Sequence, residues 1–262
     1  MKLAGVIGWP VAQSLSPRLH GYWLAEHGID GAYVGLPVHP EDFSTALRGL
    51  RRSGFRGVSV TIPHKEAAFA IAHSVDANAA EAGAVNQLVF REDGNIHGLN
   101  TDVPGLAASL SDIDIKGKPV VLLGAGGAAR AAVPALRSMG ASEVRILNRS
   151  EARLGAKPLS DWPQAARDAA LVVHATSAGM KETPSLGLDL GVLPADAVVC
   201  DIVYNPLETQ LLKRARARGL KTIDGLGMLM HQAVPAFEAF FGVRPTVTAG
   251  LRRALEEALH GG

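Results

Sequence analysis

Several short stretches of this 262-residue chain concentrate side chains able to move protons or to grip an oxygen-rich ligand. Ser14-Leu15-Ser16-Pro17 sets two hydroxyls at i and i+2, on one side of an extended segment. Ser16 before Pro17 also suits a helix N-cap, which would account for Ser16 and leave Ser14 unexplained. Val60-Thr61-Ile62-Pro63-His64-Lys65 carries a hydroxyl and an amine past the end of a predicted strand to a surface loop, the place where α/β sheets bind ligands. Asn86 closes Gly83-Ala84-Val85-Asn86, and Asn100-Thr101-Asp102 forms a further polar cluster at a strand end. Turn and cap chemistry is the plainer account of both, with Thr101 or Asp102 placed to cap a helix past Pro104.

A second kind of chemistry is written in Gly124-Ala125-Gly126-Gly127-Ala128-Ala129, which follows an apolar strand and opens a helix. This is G-x-G-x-x-A in strand–turn–helix context. The first glycine permits the tight turn, the second lets backbone N–H groups approach a pyrophosphate, and Ala129 lets helix and strand pack closely. The next strand ends Ile146-Leu147-Asn148-Arg149-Ser150, with Arg153 one helical turn beyond Arg149. An NAD site usually places a carboxylate there for the ribose 2′-hydroxyl, whereas a cation suits a 2′-phosphate. NADP is therefore the expected cofactor, against the plainer reading of two solvated arginines.

To present these groups, the chain must fold as alternating strands and helices. Leu3–Ile7, Ala32–Leu36, Gly57–Thr61 and Ala84–Phe90 read as strands, with helices around Pro17–His27, Glu41–Arg52 and Lys65–Ser74. A second series of strands runs Pro119–Leu123, Val144–Leu147, Leu171–His174 and Val198–Ile202. Asp93-Gly94 between Phe90 and Ile96 predicts one antiparallel hairpin. A seam is expected near Asp102–Gly105 and a second crossing near Gly225–His231, so that helices around Leu229–Phe241 and Thr248–Leu259 return to the first domain. The expected division is 1–102 completed by 230–262, and 103–229. The fold class is α/β: an N-terminal α/β substrate domain plus a Rossmann-type doubly wound dinucleotide-binding domain, with a cleft between them.

Composition removes other function classes. The chain has 26 Lys+Arg against 25 Asp+Glu, a formal charge of +1, which gives no basic field for nucleic acid or a membrane surface. With 47% hydrophobic and 19% charged residues it reads as globular. No apolar run reaches the roughly 18 residues of a membrane span. Met1–Ile7 imitates a signal peptide only faintly and reads better as a first strand. The one cysteine, Cys200, fits a buried strand thiol and a reducing compartment, so a cytoplasmic protein is expected. Nine histidines show no metal-ligand spacing, and no metal is expected. His64 and His231 read as polar edge residues, and Arg214, Arg216 and Arg218 as a solvated helix face.

Taken in order, these motifs resemble the shikimate dehydrogenases over almost the whole chain. The resemblance rests on the four polar motifs and the glycine loop above, Asn148-Arg149-Ser150, Ala175-Thr176-Ser177-Ala178-Gly179-Met180, Asp201-Ile202-Val203-Tyr204-Asn205-Pro206, Asp224-Gly225-Leu226-Gly227-Met228-Leu229 and Gln232. It implies reversible NADP-linked oxidation of a small molecule, shikimate, to 3-dehydroshikimate, in aromatic amino acid biosynthesis. It implies that Ser14 and Ser16 hold the substrate carboxylate, and that Thr61, Asn86, Asp102 and Gln232 bind the ring hydroxyls, with Tyr204 beside them. Lys65 and Asp102 are the implied catalytic pair. A lysine accepts a proton only when uncharged, and a neighbouring carboxylate favours the charged form, so Asp102 suits orientation and proton sharing. For the cofactor, the implied residues are Gly124, Ala125, Gly126, Gly127, Ala128, Asn148, Arg149, Ser150, Arg153, Thr176, Ile202, Gly225 and Met228.

Some positions depart from that pattern. Ser59 stands where Asn is usual, Gln87 where Thr is common after Asn86, and His174 where Asn usually opens the Ala-Thr-Ser segment. Leu154-Gly155-Ala156-Lys157-Pro158 is poorly made for the helix expected after the second strand of the dinucleotide domain. A quinate/shikimate dehydrogenase of broader cofactor use and a catalytically silent dinucleotide-binding relative are the competing readings. Retention of Lys65 and Asp102 speaks against the silent one. Monomer and homodimer both stay open.

Overall fold

The computed structural model describes residues 1–149, 153–181 and 183–260. The chain divides into two compact units, Met1–Asp102 with Met230–Gly262, and Val103–Leu229.

In the first unit the order is β1 (Lys2–Gly8), α1 (Ser16–Glu26), β2 (Gly31–Pro37), α2 (Phe43–Arg52), β3 (Phe55–Val60), α3 (Lys65–Ile71), β4 (Ser74–Val75), α4 (Ala77–Ala82), β5 (Gln87–Phe90) and β6 (Ile96–Leu99). The sheet order is β2-β1-β3-β5-β6-β4. β1 runs parallel to β2 and β3, whereas β5 is antiparallel to β3 and β6. The Asp93-Gly94 turn pairs Phe90 with Ile96, and Gly94 takes the left-handed φ of 86°. Ile7, Val58, Val60 and Leu88 form a buried core with Phe43 and Leu47 of α2.

α3 stops at Ile71, short of the expected Ser74. The chain is captured instead by β6: His73 N–H donates to the Ile96 carbonyl, and Ser74 pairs with His97. α4, which no apolar periodicity announces, is closed at both ends by local chemistry. Asp76 Oδ1 accepts from Ala79 N at 2.7 Å, and Gly83 ends the helix at φ 59°.

The second unit contains α5 (Asp102–Ser109, whose first residue belongs to the first unit), β7 (Pro119–Leu123), α6 (Gly127–Ser138), β8 (Glu143–Asn148), β9 (Lys157–Pro158), α7 (Trp162–Ala166), β10 (Leu171–His174), β11 (Val198–Asp201), α8 (Gln210–Ala217) and β12 (Lys221–Ile223). Every pairing in its sheet is parallel, in the order β12-β11-β10-β7-β8-β9. Alternate residues of β7 feed opposite faces: Val120 and Leu122 join one core, Val121 and Leu123 the other. All four are fully buried, each contributing about 1.5–3 kcal/mol of apolar burial. Two helices follow, α9 (Gly225–Phe241), within which the unit boundary falls, and α10 (Ala249–His260).

Among the described residues between β8 and β9 there is no helix. Leu154 and Gly155 both turn left-handed, at φ 57° and 64°, and Lys157 pairs at once with Leu147. Arg214 and Arg216 of α8, and Arg218 just past its end, are exposed as expected, and two of them also have a structural role. Arg214 donates to the Leu188 carbonyl, and Arg218 to those of Leu190, Gly191 and Leu193, so they tie down the loop before β11; Arg216 pairs with Glu208. No helix of the described residues is long and apolar enough to cross a membrane.

Candidate active site and dinucleotide cradle

One end of the first sheet gathers the polar motifs. β1 and β3 are parallel neighbours, so Ser14 and Ser16 follow the same sheet edge that Thr61 follows. β5 runs the other way, which brings Asn86, the residue just before it, to that edge; Val60 N–H donates to the Asn86 carbonyl, and Asn86 N–H to that of Leu99. Thr101 and Asp102 emerge from β6 at the same level. Gly8 makes room for Thr61, since a Cβ at Gly8 would stand 2.4 Å from Thr61 Cγ2.

The centre of this edge is an ion pair. Lys65 Nζ donates to Asp102 Oδ2 at 2.5 Å, with the two side chains only 13% and 7% exposed. Lys65 is thus largely buried at the start of α3, not on a surface loop. Asp102 Oδ1 accepts from Asn86 Nδ2 at 2.8 Å, while Asn86 Oδ1 accepts from Thr101 N–H at 2.8 Å. Thr101 and Asp102 therefore cap nothing. Asn100 Oδ1 receives the Asp102 N–H instead, leaving the Asp102 carboxylate to its two side-chain donors. Gln232, on α9, completes the cluster: its Oε1 accepts from Thr101 Oγ1 at 3.4 Å and from Gln87 Nε2 at 3.3 Å.

Ser14 and Ser16 exchange the parts expected of them. Ser16 makes no cap bond to α1; it is the buried first residue of the helix, and its N–H donates to Ser14 Oγ at 3.3 Å. His64 is no edge residue. It is 2% exposed, stacked on Phe43 at 4.6 Å, and its Nε2 meets the Val38 carbonyl at 2.9 Å. Burial lowers the pKa of His64, and likewise that of half-buried His231.

The second unit carries the cradle. β7 has β8 on one side and β10 on the other, so the chain reverses its winding direction beside β7, where doubly wound sheets bind nucleotides. Gly124 sits at that point with φ 118°, and a Cβ there would lie 2.7 Å from the Ala175 carbonyl oxygen. Ala125 is buried, Gly126 is exposed with open space around it, and Gly127 and Ala128 begin α6 half-buried. Gly126 makes no side-chain cap, so the first N–H groups of a 12-residue helix face that space. Ala129 is fully buried against the sheet. A pyrophosphate fits this turn.

The remaining expected cofactor residues follow neighbouring strands. Asn148 ends β8, and Arg149 and Arg153 are exposed; Ser150 lies outside the described residues. Thr176, after β10, pairs its Oγ1 with His174 Nε2 at 2.6 Å and accepts from Ala178 N–H at 3.1 Å. His174 Nδ1 meets Asp201 Oδ1 at 2.8 Å, and Asp201 Oδ2 accepts from Thr209 Oγ1 at 2.7 Å. Ile202 and half-buried Tyr204 follow β11, in the second unit. Gly225 allows α9 to start against that strand end, since a Cβ would meet the Ile202 carbonyl oxygen at 2.2 Å. Met228 is buried in the core of the unit. Cys200 is buried in β11, and burial pushes its thiol pKa up.

Gln87, Ser59 and the His174–Asp201–Thr209 chain were not among the expected site residues. The available signal was a polar side chain inside otherwise apolar strand sequence, at Gln87 before Leu88-Val89-Phe90 and at His174 after Leu171-Val172-Val173.

Known proteins share this arrangement. Residues 6–88 match the family described as the shikimate dehydrogenase substrate binding domain. The shikimate dehydrogenase (NADP(+)) of Mesorhizobium japonicum is 51% identical, over 96% of this chain and 94% of its own. The crystal structure of shikimate 5-dehydrogenase from Thermus thermophilus, in complex with NADP(H) and shikimate, superposes with a TM-score of 0.86 at 37% identity, covering 100% of this chain and 99% of that one. Quinate dehydrogenase from Corynebacterium glutamicum, in complex with NAD, gives a TM-score of 0.86 at 31% identity, covering 99% of each chain. With half its residues shared along nearly the full length of a curated relative, the chain belongs to the shikimate dehydrogenase family.

Proposed function

We propose that this protein catalyses the reversible NADP-dependent oxidation of shikimate to 3-dehydroshikimate, with Lys65 and Asp102 as its proton-handling pair. The observation that carries the assignment of the pair is the buried contact of 2.5 Å between Lys65 Nζ and Asp102 Oδ2. Oxidation of a ring alcohol removes a hydride from carbon and a proton from oxygen. Bound NADP supplies the hydride acceptor. The Lys65–Asp102 pair receives the hydroxyl proton and, in the reverse direction, returns it to the forming alkoxide. Asn86 Nδ2 on Asp102 Oδ1 fixes the carboxylate, so that a ring hydroxyl meets an oriented group.

Around the pair, Thr61, Asn86 and Gln232 bind ring hydroxyls, Ser14 and Ser16 hold the carboxylate, and Tyr204 contacts the substrate. Gly124–Ala128 receive the pyrophosphate. Asn148, Arg149, Ser150 and Arg153 hold the 2′-phosphate side, and Thr176, Ile202, Gly225 and Met228 line the rest of the dinucleotide. The exposed Arg149 guanidinium is suited to a bidentate phosphate contact.

The test is steady-state reduction of NADP and of NAD, each with shikimate and with quinate, followed by nicotinamide absorbance. Turnover with shikimate and NADP well above the other three combinations supports the proposal. Comparable rates with quinate or NAD assign the broader activity, and absence of turnover with intact NADP binding overturns the catalytic reading.

A further inference from the structure

Behind Asp102 runs a second polar chain that the reaction as described does not use. Tyr33, on β2, is stacked on His20, ring centroids 3.9 Å apart and the planes within 5°. Its hydroxyl donates to Ser59 Oγ on β3 at 2.5 Å, and Ser59 Oγ donates to Gln87 Oε1 at 2.7 Å. Gln87 Nε2 then donates to Thr101 Oγ1 at 3.2 Å and to Gln232 Oε1 at 3.3 Å. Tyr33, Ser59 and Gln87 are all buried, Gln87 almost completely at 1%.

The chain has one direction. With Oε1 taken by Ser59, only the Nε2 end of Gln87 can face Thr101 and Gln232. The Gln232 carbonyl collects donors from both Gln87 and Thr101, which fixes the plane of its amide. Strand pairing does not require this arrangement, because backbone bonds between β3 and β5 set the Ser59–Gln87 register whatever the side chains are. Burying three polar side chains in series is costly unless every member is satisfied, and here the series ends on two groups at the substrate edge.

We propose that Gln87 is a positioning residue for the substrate: anchored by Tyr33 and Ser59, it holds the Gln232 amide in the orientation that binds a ring hydroxyl, without touching the substrate. This rests on the reading of Gln232 as a substrate contact.

A double-mutant cycle on the full chain tests it. Gln87→Met keeps the length and burial of the side chain and removes its hydrogen bonds. It should raise KM for shikimate about tenfold while kcat and KM for NADP stay within about twofold. In a Gln232→Ala background the same change should add less than about twofold, because the residue it acts through is gone. An equal rise in both backgrounds marks a general structural effect and overturns the proposal, as does an unchanged KM in the single variant. If Gln232→Ala alone leaves KM for shikimate unchanged, the substrate role of Gln232 falls first, and the proposal with it. Should Gln87→Met not fold, Ser59→Ala, which removes the anchor of the Gln87 amide together with the acceptor of the Tyr33 hydroxyl, replaces it in the same cycle. Its rise in KM must then depend on Gln232, and independence overturns the proposal.

Discussion

Asp102 divides its carboxylate between two partners: Lys65 Nζ holds Oδ2 at 2.5 Å, although 37 residues separate the pair in sequence, and Asn86 holds Oδ1. The sheet makes this possible, because α3 begins just beyond β3 while Asp102 begins α5 just beyond β6. Removing the amine should therefore affect chemistry more than cofactor binding. Lys65→Ala is expected to lower kcat by about a hundredfold or more and to leave NADP affinity within about twofold. Turnover assays with a fluorescence titration of NADPH check this, and equal loss of both would mark Lys65 as structural.

Asn86 makes both sides of its amide count, donating to Asp102 and to Thr101 Oγ1 and accepting from Thr101 N–H. Asn86→Ala leaves a buried carboxylate oxygen and a buried N–H without these partners. A loss of about 1–3 kcal/mol of stability is expected, with a drop in kcat as Asp102 loses its orientation. Chemical denaturation and steady-state kinetics together read both effects; an unchanged midpoint would contradict the tight packing of this cluster.

Cofactor choice should reside in Arg149. Arg149→Ala is expected to weaken NADP about tenfold or more and NAD by less than about twofold, measured by titrating each dinucleotide. Equal weakening would remove the 2′-phosphate from the account.

His20 gives the fold an acid-sensitive point. Its ring is enclosed by Tyr33, Trp23 and Phe237, and burial lowers its pKa from 6.5 to about 3. Below pH 6.5 the unfolded chain takes up a proton that the folded chain refuses until about pH 3. Stability therefore falls with falling pH across that window, by at most about 1.4 kcal/mol per pH unit, and is untouched by this group above it. His20→Phe, which keeps a ring against Tyr33, should flatten the dependence of the unfolding midpoint on pH over that range. An unchanged slope would assign the acid sensitivity elsewhere.

Strands were the most legible part of the chain. The runs Pro119–Leu123 and Leu171–Val173 are apolar because both sheet faces are covered, and the strands Pro119–Leu123 and Leu171–His174 occur with the expected bounds. The Asp93-Gly94 hairpin was legible for the same local reason: a turn type that demands a positive φ. What escaped was decided by distant pairing. Ser74–Val75, Lys157–Pro158 and Lys221–Ile223 are strands of two or three residues, too short for any periodicity, and exist only because β6, β8 and β11 offer them an edge.

The site was legible in its residues more than in their connections. Motif order pointed to Lys65, Asn86 and Asp102, but nothing in sequence says that Asn86 holds Asp102. Gln87 and Ser59 stood out only as departures, whereas their hydrogen bond ties one to the other across β3 and β5. Ser16 illustrates the opposite error. A serine before proline is a good cap by local rules, yet here it is buried, and Ser14 takes the local backbone bond.

Thr209 has a wider reach than a cap. Its hydroxyl accepts from Leu212 N–H at 3.3 Å and donates to Asp201, whose other oxygen also receives Val203 N–H at 3.0 Å and meets His174. Fraying the first turn of α8 would thus leave a buried carboxylate short of a donor and loosen the ends of β10 and β11 together. The amides of Leu212 and Val203 should then exchange with deuterium at a common rate, in one cooperative opening, so that a single threonine hydroxyl joins the start of α8 to the two strand ends as one unit of local unfolding.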